Sequence, residues 1–289
     1  MKLIITAFLY IICFEQAFSQ TDSINVVNAD WKKKKIISGV ILKTHWFNNN
    51  LFGSNQNVSI LEIKKKKNLV LDLGFDARKL INTSDFGKST NSLAALNGTF
   101  FDIANGGSVD FIKSDGIIIN ESRLSKSGER SGHQTSALVF NQGKLSIAKF
   151  NDDPFWEKSL SGDDIMVTGP LLMMDRLDEK LDSNALSKTR HPRTAVAVTK
   201  KNRVLLITVD GRDEKSAGMS LFELAKLMRW LKSDDAINLD GGGSTTLWLS
   251  GYEGNGVVNY PSDNKKWDHL GERKVANVVL LKNKERNKR

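Results

Sequence analysis

Two short stretches carry residue types that could do chemistry together. In Asn238-Leu239-Asp240-Gly241-Gly242-Gly243-Ser244-Thr245-Thr246 an apolar run ends in a carboxylate, followed by three glycines and then hydroxyls. Successive glycines can take φ > 0 and bring bare backbone close to a ligand, and a concavity of amides suits an anion. The second stretch has the same form: Val204 to Val209 runs into Asp210-Gly211-Arg212. Two strand-end carboxylates with a guanidinium beside one of them read as a site for a sugar, a phosphate, or both. A single such motif is equally well a tight turn with a capping Asp. The repetition favours chemistry.

A ligand that joins a sugar to a phosphate needs a clamp for the phosphate, a carboxylate near the sugar carbon that bears it, and groups for the hydroxyls. Arginine binds phosphate bidentately and stays charged. Phosphate leaves readily, so electrostatic stabilisation can carry much of the barrier reduction without the paired acid and base of ordinary glycosidases. Asp210 and Asp240 are therefore candidates for nucleophile or general base, and Arg212 for the phosphate clamp. Arg193, ahead of the apolar run Thr194 to Val198, is a second clamp candidate. Phe100, Phe101 and Asp102, in Asn97-Gly98-Thr99-Phe100-Phe101-Asp102, could form a sugar-facing wall, with Asn97 ahead of them as a further binding candidate. Gly241, Gly242, Gly243, Ser244 and Thr245 complete the expected binding set. His133 and His191 read as isolated, and neither has the spacing of a zinc site. No calcium loop and no Gly-x-Ser-x-Gly nucleophile elbow is present, so no metal or cofactor is expected.

The elements that must position these residues are mostly strands. Short apolar runs bounded by Gly, Asn, Asp or Lys recur at Ile36–Leu42, Val58–Ile63, Leu69–Leu73, Gly116–Ile119, Ala137–Phe140 and Leu145–Phe150, the strand-and-turn pattern. One helix is clear: Ser220 and Glu223 make a capping box, and Leu221, Leu224, Ala225, Met228 and Leu231 keep one apolar face up to Lys232. It lies between the runs Val204–Val209 and Ala236–Leu239, like the helix of a βαβ unit. Asp210 and Asp240 then sit at the carboxyl ends of strands, where ligands gather, and they share one cleft if those strands are adjacent. Val275–Leu281 would close the sheet. The balance is that of a single mixed-sheet α+β domain, strand-rich with a few helices.

The chain has 289 residues and a net charge of +9. Lys32–Lys35, Lys64–Lys67 and the tail from Lys282 to Arg289 carry more than that whole excess, so the remainder is slightly acidic. Charge runs of this kind are solvated segments, and no aromatic–basic interleaving points to nucleic acid. Lys2, the apolar stretch Leu3–Phe14 and Ala17-Phe18-Ser19 form a secretory signal pattern, too short to span a bilayer. Cleavage after Ser19 would remove Cys13, the single cysteine; Ile11-Ile12 before it argues against a lipid anchor. The expected organisation is a signal peptide over 1–19, a basic segment over 20–35, the domain over 36–282 and a basic tail over 283–289, in a secreted or periplasmic protein.

The order of Asn97-Gly98-Thr99-Phe100-Phe101-Asp102, Pro192-Arg193-Thr194-Ala195-Val196, Val209-Asp210-Gly211-Arg212 and Asn238 to Thr246 resembles the phosphodiester glycosidase family. The likeness runs from about Leu93 to Leu281, and the Asp-Gly-Gly-Gly-Ser-Thr block is its specific part. It implies a secreted hydrolase acting on a carbohydrate phosphodiester, of the N-acetylglucosamine-1-phosphodiester kind, between the anomeric carbon and the phosphate. Two other readings fit the same residues: a carbohydrate- or cell-wall-binding protein without turnover, and a phosphodiesterase cutting P–O.

Overall fold

A computed structural model describes residues 21–284. Residues 1–20 and 285–289, and with them the expected signal peptide and most of the basic tail, lie outside the described residues. In chain order the strands are β1 (Lys32–Ile37), β2 (Val40–Leu51), β3 (Ser54–Lys64), β4 (Leu69–Phe75), β5 (Ala94–Asn97), β6 (Ile112–Ser114), β7 (Ile117–Asn120), β8 (Ser136–Asn141) and β9 (Lys144–Lys149). They continue with β10 (Asp164–Thr168), β11 (Leu171–Met174), β12 (Leu177–Asp178), β13 (Arg193–Thr199), β14 (Arg203–Val209), β15 (Ser233–Asn238), β16 (Leu247–Leu249) and β17 (Asn277–Asn283). An eight-stranded sheet runs β1-β2-β3-β14-β13-β15-β11-β12, a five-stranded sheet β7-β6-β10-β8-β9, and a four-stranded sheet β16-β5-β17-β4. With its few helices this is the expected α+β domain.

Why so many runs are apolar throughout rather than alternating follows from the layering. On β14, Val204 and Leu206 face a core shared with the other two sheets. Leu205, Ile207 and Val209 face the opposite core, under the helix Leu221–Trp230. A strand buried on both faces reads as a continuous hydrophobic run. Each such Leu or Ile taken fully from water stabilises the fold by roughly 1.5–3 kcal/mol.

The helix has the expected cap. The Glu223 amide donates to Ser220 Oγ at 3.1 Å, and the Ser220 amide donates to Glu223 Oε2 at 2.8 Å. It ends at Trp230, short of Lys232, which has φ of 63°. The expected βαβ neighbours are not adjacent. The helix carries the chain from β14 past β13 to β15, and β13 pairs antiparallel with both. β14 and β15 thus point the same way with one strand between them, and Asp210 and Asp240 still emerge at the same end of the sheet. The run Ile36–Leu42 is likewise two strands, split at Gly39 (φ 94°) into the hairpin β1–β2.

Lys32–Lys35 is an exposed edge strand rather than a loose segment. A row of lysines on an edge discourages pairing with another chain.

Candidate active site

Strand ends of all three sheets meet at one end of the molecule and bring buried polar residues together. Asn97, at the end of β5, brackets the glycine loop. Its Nδ2 donates to the Asp240 carbonyl at 2.7 Å, while its Oδ1 accepts from the Thr246 amide at 3.0 Å and from Thr194 Oγ1 at 2.8 Å. Thr194 Oγ1 also lies 3.3 Å from Thr245 Oγ1. Asn97 is fully buried, so its side chain holds the loop against β5 and β13 rather than standing free for a sugar. Buried amides of this kind must be satisfied, and here that requirement sets the position of Asp240.

The two candidate carboxylates have different surroundings. Asp210 is 1 % exposed. Its Oδ2 accepts from Asn57 Nδ2 at 2.8 Å, and its Oδ1 accepts from Asn259 Nδ2 at 2.9 Å and the Tyr260 amide at 3.0 Å. Burial pushes its pKa up to about 7 against the opposing pull of those three donors. Asp240 is half-buried and open to solvent. Burial pushes its pKa up to about 6; Ser244, Arg273 and the Gly241 amide pull it down, and the charge on Asp110 adds to the rise. The Ser244 hydroxyl approaches Asp240 without completing a hydrogen bond, and among the described residues it has no other partner. A carboxyl group titrating near 6 suits acid–base work at neutral pH.

The three glycines are needed for close approach, and each for a different neighbour. A Cβ on Gly241 would stand 2.6 Å from the Pro192 carbonyl oxygen. Gly242 has φ of 61°, and a Cβ there would lie 2.9 Å from Arg212 Nη2. On Gly243 a Cβ would meet Asp263 Oδ1 at 2.5 Å and Arg273 Nη2 at 2.7 Å. Two guanidinium groups thus close over this loop. The expected nest of free amides is less in evidence: the amides of Gly242, Ser244 and Thr245 donate to the carbonyls of Pro192, Gly241 and Gly242.

Arg212 is exposed, has φ of 65°, and makes no hydrogen bond or ion pair among the described residues. A non-glycine residue held in this region costs of order 1–3 kcal/mol, and the result is an unpaired guanidinium at the lip of the loop. Arg273 pairs with Asp263, donating from Nε at 2.8 Å and from Nη2 at 2.5 Å. Neither Arg273 nor Asp263 stands out in the sequence, because neither sits beside a motif. Arg193 is 2 % exposed and faces away: Nε donates to the Met219 carbonyl at 2.7 Å, and Nη2 to those of Leu186 (2.7 Å) and Thr189 (2.9 Å). Burial pushes its pKa down to about 10. The structure thus gives it structural contacts in place of the expected role as a phosphate clamp.

The residues of the expected wall have different surroundings. Phe101 packs against the core cluster of Phe86, Trp248 and Val275, and it is Phe100 that reaches inward, 4.3 Å from the His133 ring. Asp102 organises its own turn, accepting from the Ala104 and Asn105 amides and pairing with Arg123 at 2.6 Å. Asn105 and Arg123 hold its carboxyl well below the ordinary range. His133 is not isolated. Its Nε2 lies 3.0 Å from Asp110 Oδ1, which also accepts from Gln134 Nε2 at 2.8 Å, while Asp110 Oδ2 accepts from Thr99 Oγ1 at 2.7 Å. Asp110 is fully buried. His191 is half-buried; burial, then Arg193 and Arg212, lower its pKa and favour the neutral ring.

Comparison with known proteins gives a consistent picture. The family model described as phosphodiester glycosidase matches residues 90–282. The N-acetylglucosamine-1-phosphodiester alpha-N-acetylglucosaminidases of Mus musculus and Homo sapiens are each 29% identical, over 199 residues (65% of this chain, 37% of theirs) and 228 residues (72% of this chain, 41% of theirs). The chain thus spans about two-fifths of the length of these relatives. Among solved structures, the catalytic domain of the zebrafish enzyme, auto-inhibited by its pro-peptide, superposes with a TM-score of 0.61 at 19% identity, covering 88% of this chain and 87% of that one. A hypothetical protein from Synechocystis gives 0.63 at 15% identity, covering 87% and 63%. These two likenesses establish the fold.

Proposed function

We propose that this chain, which belongs to the phosphodiester glycosidase family, hydrolyses the bond between a sugar's anomeric carbon and the phosphate of a phosphodiester. The observation that carries the reading is the surroundings of Asp240: a solvent-reached carboxyl titrating near 6, beside a glycine loop over which Arg212 and Arg273 close. Arg212, unpaired, takes the phosphate with its planar fork. Asp240, ionised, takes a proton from the water that attacks the anomeric carbon, or attacks that carbon itself to give a glycosyl ester that water then hydrolyses. The C–O bond breaks and its electron pair leaves on the phosphate oxygen, where the guanidinium charge is already in place. Asp210 is assigned a positioning role, since three N–H donors already occupy its oxygens.

The names of the relatives put N-acetylglucosamine first among the sugars to test. Export with removal of residues 1–19, and a catalytic unit over 36–282, belong to the same proposal. The deciding experiment is turnover of a panel of sugar-1-phosphodiesters in ¹⁸O water with product identification. Label in the sugar supports C–O cleavage. Label in the phosphate makes the protein a phosphodiesterase, and no turnover of any substrate leaves a binding protein.

A further inference from the structure

The end of the molecule opposite the active site holds a cleft of about 710 Å³ that plays no part in the chemistry above. The starts of β4, β9 and β14 and the ends of β3, β13 and β17 surround it. Val204, at the start of β14, lines it, whereas Asp210 follows the end of that strand. The strand between them spans roughly 20 Å at about 3.3 Å per residue.

The floor of this cleft is an uncovered part of the core. Leu69, Leu71, Leu145, Val204 and Leu281 line it, and all of them belong to the core shared by the three sheets. Leu69 and Leu145, at 8 %, and Val204, at 7 %, are the most exposed members of that core. Val70 and Val198, both half-buried, extend the apolar lining. A core that opens at one end leaves C–H surface in water, and apolar matter seated on it is favoured for the same reason that the core forms. The residues after Lys284, Glu285 to Arg289, hold no apolar side chain that could take that seat.

The rim carries one sign of charge. Lys64–Lys67, on the connection from β3 to β4, line the cleft together with Lys144 and Lys284, and no acidic residue lines it. Lys282 pairs with Asp72, but none of the lining lysines is in an ion pair among the described residues. Lys66 is anchored: its Nζ donates to Ser38 Oγ at 2.7 Å. Arg286, Lys288 and Arg289 outweigh Glu285 in the tail that leaves from Lys284 and add to the positive charge. A run of lysines alone is a solvated segment. Here it borders an apolar cavity, and like charges beside a low-dielectric wall concentrate their field on a counter-charge.

Floor and rim together select the ligand. A cation is repelled, a wholly hydrophilic anion leaves the floor in water, and an uncharged apolar molecule gains nothing from the lysines. Ligand pockets commonly combine such an apolar lining with a few polar groups that fix orientation. We infer that this cleft binds a single-chain anionic amphiphile, one per protein chain, with its hydrocarbon tail on the Leu69–Leu145–Val204 floor and its phosphate or carboxylate among Lys64–Lys67 and Lys144. The site is remote from Asp240, and its binding does not depend on the proposed hydrolysis.

The test titrates the full chain with dodecyl phosphate below its micelle concentration, followed by calorimetry. One equivalent should bind in the micromolar range. Inorganic phosphate, the head alone, and dodecyl maltoside, the same tail under a neutral head, should each bind tenfold more weakly or worse. Decyl phosphate should bind about tenfold more weakly than dodecyl phosphate, the loss for two methylenes no longer taken from water. Replacing two exposed lysines together, Lys65→Glu with Lys144→Glu, should weaken dodecyl phosphate tenfold or more, and Val198→Asp should abolish its uptake. Melting temperatures identify any variant that fails to fold, and Val70→Asp then tests the floor in place of Val198→Asp. Absence of dodecyl phosphate binding, equal binding of the neutral and anionic amphiphiles, an affinity independent of tail length, or binding unmoved in the folded variants overturns the inference. Co-sedimentation with phosphatidylglycerol vesicles distinguishes the sources of the ligand. Vesicle binding that dodecyl phosphate competes away supports a lipid drawn from a bilayer, and uptake of the monomer without vesicle binding supports a free amphiphile. Vesicle binding without uptake of the monomer makes this end a membrane-docking surface and overturns the inference.

Discussion

Asp240→Asn separates catalysis from stability in a way that a turn residue could not. Burial raises the Asp240 pKa from 3.8 to about 6, so the charged form is less stable in the folded chain than in the unfolded one. The sign follows: this group destabilises the fold as pH rises from 3.8, and the full penalty is present above about 6. At 1.36 kcal/mol per pKa unit that penalty is at most about 3 kcal/mol near neutral pH, and solvent at the open side of the carboxyl reduces it. The amide carries no charge to desolvate. For a domain of this size 1 kcal/mol moves the melting temperature by roughly 2–4 °C. Asp240→Asn is therefore expected to melt several degrees above wild type at pH 7.5 and at nearly the same temperature at pH 4. Its turnover should fall by about two to four decades, the usual loss for an acid–base group. Wild-type kcat/KM should drop tenfold per pH unit below about 6, where the reacting carboxylate protonates. Differential scanning fluorimetry and steady-state kinetics across pH 4–8 measure all three effects. Near-normal turnover would refute the catalytic role. A melting temperature lower at pH 7.5 than the wild type's would refute the electrostatic argument even if activity were lost.

Among the described residues Arg212 makes no hydrogen bond or ion pair that its replacement would break, so Arg212→Lys should keep the wild-type melting temperature while KM for phosphodiesters rises about 10- to 100-fold, the 1.5–3 kcal/mol of a charged hydrogen bond; unchanged KM removes it as the clamp. Asp210→Ala leaves the Asn57 side-chain amide and the Tyr260 backbone amide without their acceptor, while Asn259 keeps the Thr245 carbonyl, at about 1–3 kcal/mol for each group left unpaired; at pH 4, where little charge is buried in either state, it should lower the melting temperature by more than 4 °C, whereas Asp240→Asn leaves it nearly unchanged there. The two outer glycines should respond differently. Gly241→Ala drives a Cβ to 2.6 Å from a backbone oxygen, and overpacking of this sort costs about 1–3 kcal/mol. Gly243→Ala meets only the tips of Asp263 and Arg273; it should fold, and by displacing Arg273 it should move the acidic limb of the pH profile upward. Mass spectrometry of the exported protein should find Gln20 at the N-terminus.

What could be read along the chain was whatever a few consecutive residues decide. The Ser220–Glu223 cap is a local exchange of two hydrogen bonds, and the strand–acid–glycine pattern at Asp210 and Asp240 needs only a strand end and a turn. The same reading could not order the strands. Arg193–Thr199 and Arg203–Val209 have the same apolar character, and nothing in either says that β13 lies between β14 and β15. Nor could it find charge partners. Asp110 and His133 come from opposite sides of the five-stranded sheet's first strands, and Arg273 reaches Gly243 only because Asp263 and a long loop return it there.

The glycine loop shows how a correct residue choice can hide its own cause. Glycines at this position suggest backbone amides turned toward an anion, yet three of the nearby amides donate to carbonyls. What the missing side chains admit is side chains from elsewhere: the Arg212 guanidinium over Gly242, and that of Arg273 over Gly243. Positive charge thus reaches the Asp240 carboxylate from Arg273, the long side chain of another segment. Lengthening the loop's own side chains by one carbon is enough to push that charge away. A site assembled this way needs glycine for the space it leaves as well as for its conformational freedom, and the pH profile of Gly243→Ala reads that space directly.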